Sequence, residues 1–170
     1  MPYTEKKDRN LNIYIKQTRQ SLVLLAQSKD DFKLFGQFRD KLRADEKVLY
    51  LDFANIHSAR EFAQELLTQY KQLIDTDIDL ELSCDDYLAL SDLLKLLDKA
   101  QKQDKSIVVW FENFTNILSL DESDWLFGLL RGELQHFQNI VCVFTSDSKE
   151  KINAIFMNRD NPFFRFARII

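Results

Sequence analysis

Few residues in this 170-residue chain have the types and spacing that phosphate or nucleophilic chemistry requires. A loop that cradles phosphate needs closely spaced glycines, because only then can several backbone N–H groups converge on one anion. The three glycines, Gly36, Gly128 and Gly132, are never closer than four residues, so they cannot form such a loop. His57 and His136 have no Cys or Asp nearby at ligand spacing, and no catalytic triad can be singled out. The sequence therefore predicts no catalytic residues.

The segment after residue 74 contains a pattern that resembles a metal loop. Asp75, Asp77 and Asp79 alternate as at the start of an EF-hand calcium loop, but Leu80 stands where that loop needs glycine. Asp86 stands where it needs glutamate. The apolar residues between the acids alternate as well, which favours an extended segment. We predict a solvated acidic connection here, and no metal site.

Composition excludes several classes of protein. Apolar residues make up 45% and aromatic residues 12% of the chain, which is enough to bury a core and excludes disorder. No apolar run approaches the roughly 18 residues of a membrane span, so we expect no membrane contact. The net charge of −4 disfavours nucleic acid as a partner. Cys84 and Cys142, with no CxxC spacing, suit a reducing cytoplasm, and we expect Cys142 to be buried.

Apolar runs and amphipathic stretches alternate along the chain. The apolar runs predict strands at 21–25, 48–53, 106–111, 139–145 and 166–170, with a further short strand at 11–15. The 3.6-residue periodicity predicts helices at 31–42, 58–74, 85–103, 123–137 and 149–157, and Ser58 with Glu61 forms a capping-box pattern. We therefore predict an α/β fold in three layers, with about five parallel strands between helices, as a single domain over residues 1–170.

Three short runs in the second half of the chain have a pattern found in one family. They are Phe111-Glu112-Asn113-Phe114, Thr145-Ser146-Asp147-Ser148 and Asn161-Pro162-Phe163-Phe164. In this order and between these strands, they resemble the second half of the nucleotide-binding core of the archaeal-type ATPases, which belong to the AAA/STAND class of P-loop NTPases. The resemblance covers residues 20–170 and implies a P-loop NTPase-like sheet of five parallel strands. By this resemblance we expect residues 1–170 to form the core domain without the C-terminal lid that is usual in that family.

The phosphate-binding loop of the family is the first point of departure. That loop reads G-x-x-x-x-G-K-[ST], and the corresponding turn here, residues 26–33, has no glycine. Asp30 and Asp31 place two carboxylates where the charge of the phosphate would lie. We therefore predict that this turn does not bind a nucleoside triphosphate in the manner of the family.

The second motif departs as well. The family uses Asp for magnesium and then Glu to polarise water, whereas this chain has Glu112 followed by Asn113. Glu112 can still ligate a metal, but Asn113 cannot act as a base. The resemblance thus assigns Lys29, Glu112, Asn113 and Ser146 to degenerate positions of a nucleotide site.

These departures favour a non-catalytic, ATPase-like scaffold or regulatory domain that contacts another protein, or a second copy of itself, and needs no cofactor. Two alternatives stay open. The first is an atypical ATPase that binds ATP and Mg²⁺, with Lys29 or Lys33 on phosphate and Glu112 on the metal. The second is a DNA-associated inactive module of the AAA class, supported by the basic residues of segment 149–170, including Arg165 and Arg168.

Overall fold

Five parallel strands form one sheet in the computed structural model, which describes residues 3–103 and 106–170. The strands are β1 (Leu22–Leu25), β2 (Lys47–Asp52), β3 (Ile107–Glu112), β4 (Ile140–Ser146) and β5 (Arg168–Ile169). Their order across the sheet is β2-β3-β4-β1-β5, and every pair of neighbours is parallel. The α/β sandwich with a five-stranded parallel sheet is therefore confirmed.

Helices cover both faces of this sheet. They are α1 (Tyr3–Asn12), α2 (Lys29–Leu42), α3 (Ala59–Leu73), α4 (Asp86–Gln101), α5 (Ser123–Leu134) and α6 (Lys149–Ile152). One core cluster joins α1 and α2 to Val108 and Trp110 of β3, and the other joins α3, α4 and α5 to Val109 and Phe111. Since β3 and β4 are buried along their whole length, their sequences are almost entirely apolar, as the sequence predicted for central parallel strands.

The predicted strand at 11–15 is wrong. These residues end α1 and begin a π-helical segment, Ile13–Gln17. A five-residue apolar run fits either period, and here the helical one holds because Leu11 and Ile15, four residues apart, are both buried on one face. Half of the capping box predicted at α3 is formed, since Ser58 Oγ accepts from Glu61 N at 3.1 Å. The carboxylate of Glu61 accepts from His57 N at 2.6 Å, one residue before the cap.

An aromatic cluster fixes the turn that follows β3. Phe111 of β3 and Phe144 of β4 are stacked, with ring centroids 5.0 Å apart. Phe114, at the start of a 3₁₀ helix (Phe114–Ser119), lies 4.6 Å from Phe144 and 5.7 Å from Phe53. Aromatic contacts of this kind bury large areas with specific geometry. They therefore determine where the polar residues before and after Phe114 are held.

Two expectations from the sequence concern metals and membranes. The acidic connection between α3 and α4 is irregular, and its alternate apolar residues Ile78, Leu80 and Leu82 pack against the core. Within the described residues, no group of three or more His, Cys, Asp or Glu side chains is arranged to hold a metal ion. The helices of the same two ranges include none that is both long and apolar enough to cross a bilayer.

Candidate functional site

Polar residues from β3 and β4 meet at the carboxyl edge of the sheet, where parallel strands all end. Oε2 of Glu112 accepts from Trp110 Nε1 at 2.7 Å and from Thr145 Oγ1 at 3.0 Å. Thr145 Oγ1 also accepts from Asn113 N at 3.2 Å. Glu112 is only 9% exposed, so its carboxylate is held by donors of the protein rather than by bulk solvent.

Ser146 is the last residue of β4 and is buried. Its hydroxyl lies 2.7 Å from Thr115 Oγ1 and accepts from Ser148 N at 3.1 Å. These bonds connect the end of β4 to the 3₁₀ helix after β3 and to the cap of α6. The Ser146 hydroxyl thus has internal partners on both sides, which is what a buried hydroxyl requires.

Asn113 connects this cluster to β2. Its backbone is in the left-handed region, with φ of +51°, which asparagine tolerates better than most residues. The side chain then faces the neighbouring strand, and Nδ2 donates to Asp52 Oδ1 at 2.9 Å. Asp52 also accepts from Ala54 N at 2.9 Å. Asn113 therefore holds the ends of β2 and β4 in register with β3.

A guanidinium group supplies the positive charge next to Glu112. Arg39, in the last turn of α2, places Nη1 4.0 Å from Glu112 Oε2. The same guanidinium lies 4.1 Å from the centre of the Tyr50 ring, in a cation–π arrangement. Burial raises the pKa of Tyr50, and the negative charges of Glu112 and Asp52 raise it further, while Arg39 opposes the shift. The cluster therefore places the positive charge of Arg39 next to the negative charge of Glu112.

The start of α2 is the position that corresponds to a phosphate-binding loop. Only Ala26, Gln27 and Ser28 connect β1 to α2, and Ser28 caps the helix by accepting from Asp31 N at 3.4 Å. Oδ2 of Asp31 accepts in turn from Gln27 N at 2.8 Å, and Oδ1 pairs with Lys7 Nζ at 3.5 Å. A carboxylate of the chain itself therefore binds the backbone N–H that precedes the helix.

The structure brings together three of the four positions assigned by the sequence and leaves the fourth apart. Glu112, Asn113 and Ser146 belong to the carboxyl-edge cluster, whereas Lys29 is exposed on the first turn of α2. Lys29 lines a shallow cavity of about 230 Å³ together with Phe32 and Asp147. Lys33 is exposed one turn further along α2. Among the described residues, no hydrogen bond or ion pair joins Lys29 to the other three positions.

Other members of the cluster had not been predicted from the sequence. Asp52 could have been found, because it is the last polar residue of a predicted strand and all parallel strands end at one edge of the sheet. Trp110 is buried in the core, and its indole N–H is also a donor to Glu112. Arg39 has no local sequence signal, since it lies in the last turn of a helix and reaches the cluster only through its long side chain.

Comparisons with known proteins support the fold. No protein-family model and no curated protein matches the chain. Among solved structures, a Walker-type ATPase of Pyrococcus abyssi matches 100% of this chain and 53% of its own, with 13% identity and a TM-score of 0.65. The Aeropyrum pernix ORC1 protein in complex with DNA matches 99% of this chain and 45% of its own, with 10% identity and a TM-score of 0.70. This chain thus spans about half the length of these two archaeal proteins.

A third structure, Drosophila ORC bound to DNA, has 12% identity and a TM-score of 0.58, and the match covers 88% of this chain and 78% of that one. Two of these three neighbours are bound to DNA. The sequence-based expectation that nucleic acid is disfavoured as a partner is therefore wrong, because a net charge of −4 describes the whole chain and not one of its surfaces. The chain shares the fold of P-loop ATPase domains.

Proposed function

We propose that this chain is a non-catalytic, ATPase-like domain that acts as a scaffold or regulator by contacting another protein. One observation carries the proposal: side chains of the protein itself already satisfy both places where an ATPase of this fold handles nucleotide charge. Asp31 takes the backbone N–H before α2, and Arg39 provides the cation at Glu112. The chain keeps the fold of an ATPase domain, but these two side chains disfavour the binding of a nucleotide. A fold does not by itself imply a function.

The charge of Asp31 opposes binding of a phosphate at the start of α2. Two unit charges of the same sign at about 4 Å repel by about 4 kcal/mol when the effective dielectric constant is near 20. The short connection between β1 and α2 adds a geometric obstacle, since three residues without glycine cannot wrap around an anion. A triphosphate therefore meets the negative charge of Asp31, and the backbone N–H groups of Gln27 and Asp31 already have acceptors within the protein.

The surroundings of Glu112 disfavour its use as a ligand of Mg²⁺. Its Oε2 accepts two hydrogen bonds and lies near the guanidinium of Arg39, whereas Mg²⁺ requires near-octahedral oxygen ligands and keeps several waters. Asn113 has no proton-accepting carboxylate to activate water, and its amide is already engaged by Asp52. These contacts support a structural role for Glu112.

Calorimetric titration with ATP and Mg²⁺ tests the proposal. We expect no binding heat at millimolar nucleotide and no change in the melting temperature of the protein, because binding to the folded state would raise it. Micromolar affinity that is lost in Lys29→Ala or Glu112→Ala, and kept in Lys99→Ala on the exposed side of α4, would overturn the proposal. That result would favour the atypical ATPase instead.

A second candidate function is association with DNA. It is favoured by the two DNA-bound neighbours and by five exposed cations near the end of the chain, Lys149, Lys151, Arg159, Arg165 and Arg168. Anisotropy of a fluorescent DNA duplex at two salt concentrations is the appropriate measurement, since phosphate contacts weaken steeply with salt. Salt-dependent binding that falls in Arg165→Ala and Arg168→Ala, with Lys99→Ala as the matched control, supports this function. If all three variants bind DNA equally, this segment is not the DNA-binding surface.

We further propose a single domain in a reducing, cytoplasmic environment. The two core clusters are built on opposite faces of one sheet, which supports a single cooperative unit. Cys84 is an exposed free thiol and Cys142 a buried one, and this usage is typical of reducing compartments.

A further inference from the structure

The exposed Tyr87, with Trp125 against its ring and the exposed Leu88 next to it in the chain, is called the Tyr87 surface below. Tyr87 and Leu88, adjacent on the first turn of α4, are 48% and 52% exposed. The Tyr87 ring lies 5.7 Å from that of Trp125, on the first turn of α5, so the surface bridges two helices. Exposed large apolar side chains that adjoin one another mark contact surfaces more often than isolated ones do.

The helix starts that carry this surface are held firmly. Asp85 caps α4 by accepting from Leu88 N at 2.9 Å, and Asp86 binds Arg60 Nε at 2.8 Å. Glu122, before α5, accepts from Ala59 N at 3.2 Å. Both helix starts are thereby tied to the start of α3. A rigid Tyr–Trp pair loses little conformational entropy when a partner binds, and these two residue types are enriched among residues that dominate binding energy.

Exposed carboxylates border the Tyr87 surface. Asp92 lies one helical turn after Leu88, Asp85 directly precedes the first turn of α4, and Asp124 is adjacent to Trp125. Two cations lie near these carboxylates: Arg60 is paired with Asp86 and also donates to the carbonyl of Ser83, and Lys95 is exposed one helical turn after Asp92, so that the acids remain in excess. The border is therefore negative, and a complementary partner must carry positive charge around an apolar stripe.

We propose that the Tyr87 surface docks a cationic amphipathic helix of another protein, with apolar residues on the aromatic pair and Lys or Arg residues on the carboxylates. The inference rests on the proposed function, because it names the chemistry of the protein partner through which a non-catalytic domain acts. Helices of this kind present apolar side chains at i and i+3 or i+4, which matches an apolar contact that is only a few side chains wide.

Trp125 provides the readout, since it is partly exposed whereas Trp110 is fully buried. The probe is a synthetic amphipathic peptide of Leu and Lys, and its scrambled isomer has the same charge without the apolar stripe. We expect the amphipathic peptide to change the emission of Trp125 and to bind at least about tenfold more tightly than the isomer. We expect Tyr87→Ala/Leu88→Ala to lose about tenfold in affinity.

Two controls make the result specific. Met157→Ala removes an apolar side chain that is 56% exposed on another segment, and it should bind like the unchanged protein. Asp85→Asn/Asp92→Asn/Asp124→Asn keeps an N-cap residue at 85 and should weaken binding mainly at low salt. Equal affinity for both peptides, or an equal loss in the Met157 variant, overturns the proposal.

Sedimentation velocity and nucleotide calorimetry separate the remaining outcomes. A dimer that dissociates in Tyr87→Ala/Leu88→Ala overturns the proposal in favour of a second copy as the occupant. ATP binding, measured on the same preparation, overturns the non-catalytic function but leaves the peptide result as a property of the surface. Peptide binding without ATP binding supports both the docking surface and the non-catalytic function.

Discussion

The buried carboxylate of Glu112 raises the question of what compensates its charge. Removing a carboxylate from water is costly unless hydrogen bonds and an opposite charge replace the lost hydration. Trp110 and Thr145 supply the hydrogen bonds, and Arg39 supplies the charge at 4.0 Å. Because Arg39 also stacks on Tyr50, its guanidinium cannot leave without uncovering the ring. Glu112 and Arg39 should therefore act as one unit.

A double-mutant cycle between Arg39→Met and Glu112→Gln tests this coupling by urea unfolding. Each single substitution should lower the free energy of unfolding by about 1–3 kcal/mol, because it leaves the partner charge buried without compensation. The double substitution should cost clearly less than the sum. Arg43→Met, on an exposed residue at the end of α2, should cost less than about 0.5 kcal/mol. If the losses in free energy of unfolding caused by Arg39→Met and Glu112→Gln simply add, the two residues do not act as one unit.

The two thiols should differ sharply in reactivity. Burial raises the pKa of the Cys142 thiol to about 12, although a hydrogen bond with Ser21 opposes the shift, whereas Cys84 is exposed. Since the folded-state pKa lies above the ordinary value of 9.0, this contribution to stability is complete at neutral pH and is lost as the pH rises toward 12.

With Ellman's reagent at pH 8, we expect one thiol to react rapidly in the native protein and both in denaturant. Cys84→Ser should abolish the rapid phase and serve as the control. Rapid reaction of two thiols in the native protein would show that β4 opens easily to solvent.

At the scale of elements, the junction between α4 and β4 depends on one buried amide. Gln101, at the end of α4, accepts from Gln138 N and Asn139 N, both at 2.9 Å, directly before β4 begins. Gln101→Leu keeps the volume but leaves two backbone N–H groups without an acceptor, so it should cost about 1–3 kcal/mol in free energy of unfolding. Gln103→Leu, at an exposed neighbouring position, is the matched control. Equal stabilities of the two variants would contradict this role.

Most elements could be predicted because burial and periodicity determine them locally. The central strands β3 and β4 are apolar throughout since helices cover both of their faces, and α3 and α4 have long apolar stripes. The run at 11–15 could not be assigned correctly, because five residues are compatible with both periods. Only the packing of Leu11 and Ile15 against α2 and the sheet decides in favour of a helix.

The sequence can predict the residues of the candidate site that lie at strand ends. It cannot predict the residues that join the site only through the conformation of a long or turned-back side chain. Glu112, Asn113 and Ser146 lie together because β3 and β4 are neighbours and parallel. Arg39 joins them across the sheet edge from α2, and Asp31 turns back to Gln27 to close the helix start. Neither contact follows from spacing along the chain, since each depends on the tertiary approach or the rotamer of a single side chain.

At the scale of the whole molecule, the two core clusters share one sheet, and neither can persist without it. Trp110 and Val108 face α1 and α2, while Val109 and Phe111 of the same strand face α3 to α5. Loss of packing on one face exposes the side chains of β3 on that face to water, and it weakens the strand against which the other face is packed. Unfolding should therefore be a single cooperative transition rather than the separate loss of two halves.

Ile15→Ala tests this cooperativity in segment 11–15, which the sequence predicts as a strand and which is helical in the structure. Ile15 is fully buried beneath the sheet face that carries Trp110, so the substitution should lower the free energy of unfolding by about 2–5 kcal/mol. Trp fluorescence and far-UV circular dichroism should shift by the same amount, because the loss on one face is transmitted through β3 to the helices on the other. Ile13→Ala, at a partly exposed position, should cost distinctly less. A fluorescence transition that moves while the dichroism transition stays fixed would mean that α1 and α2 unfold apart from the rest, and that the two faces are independent.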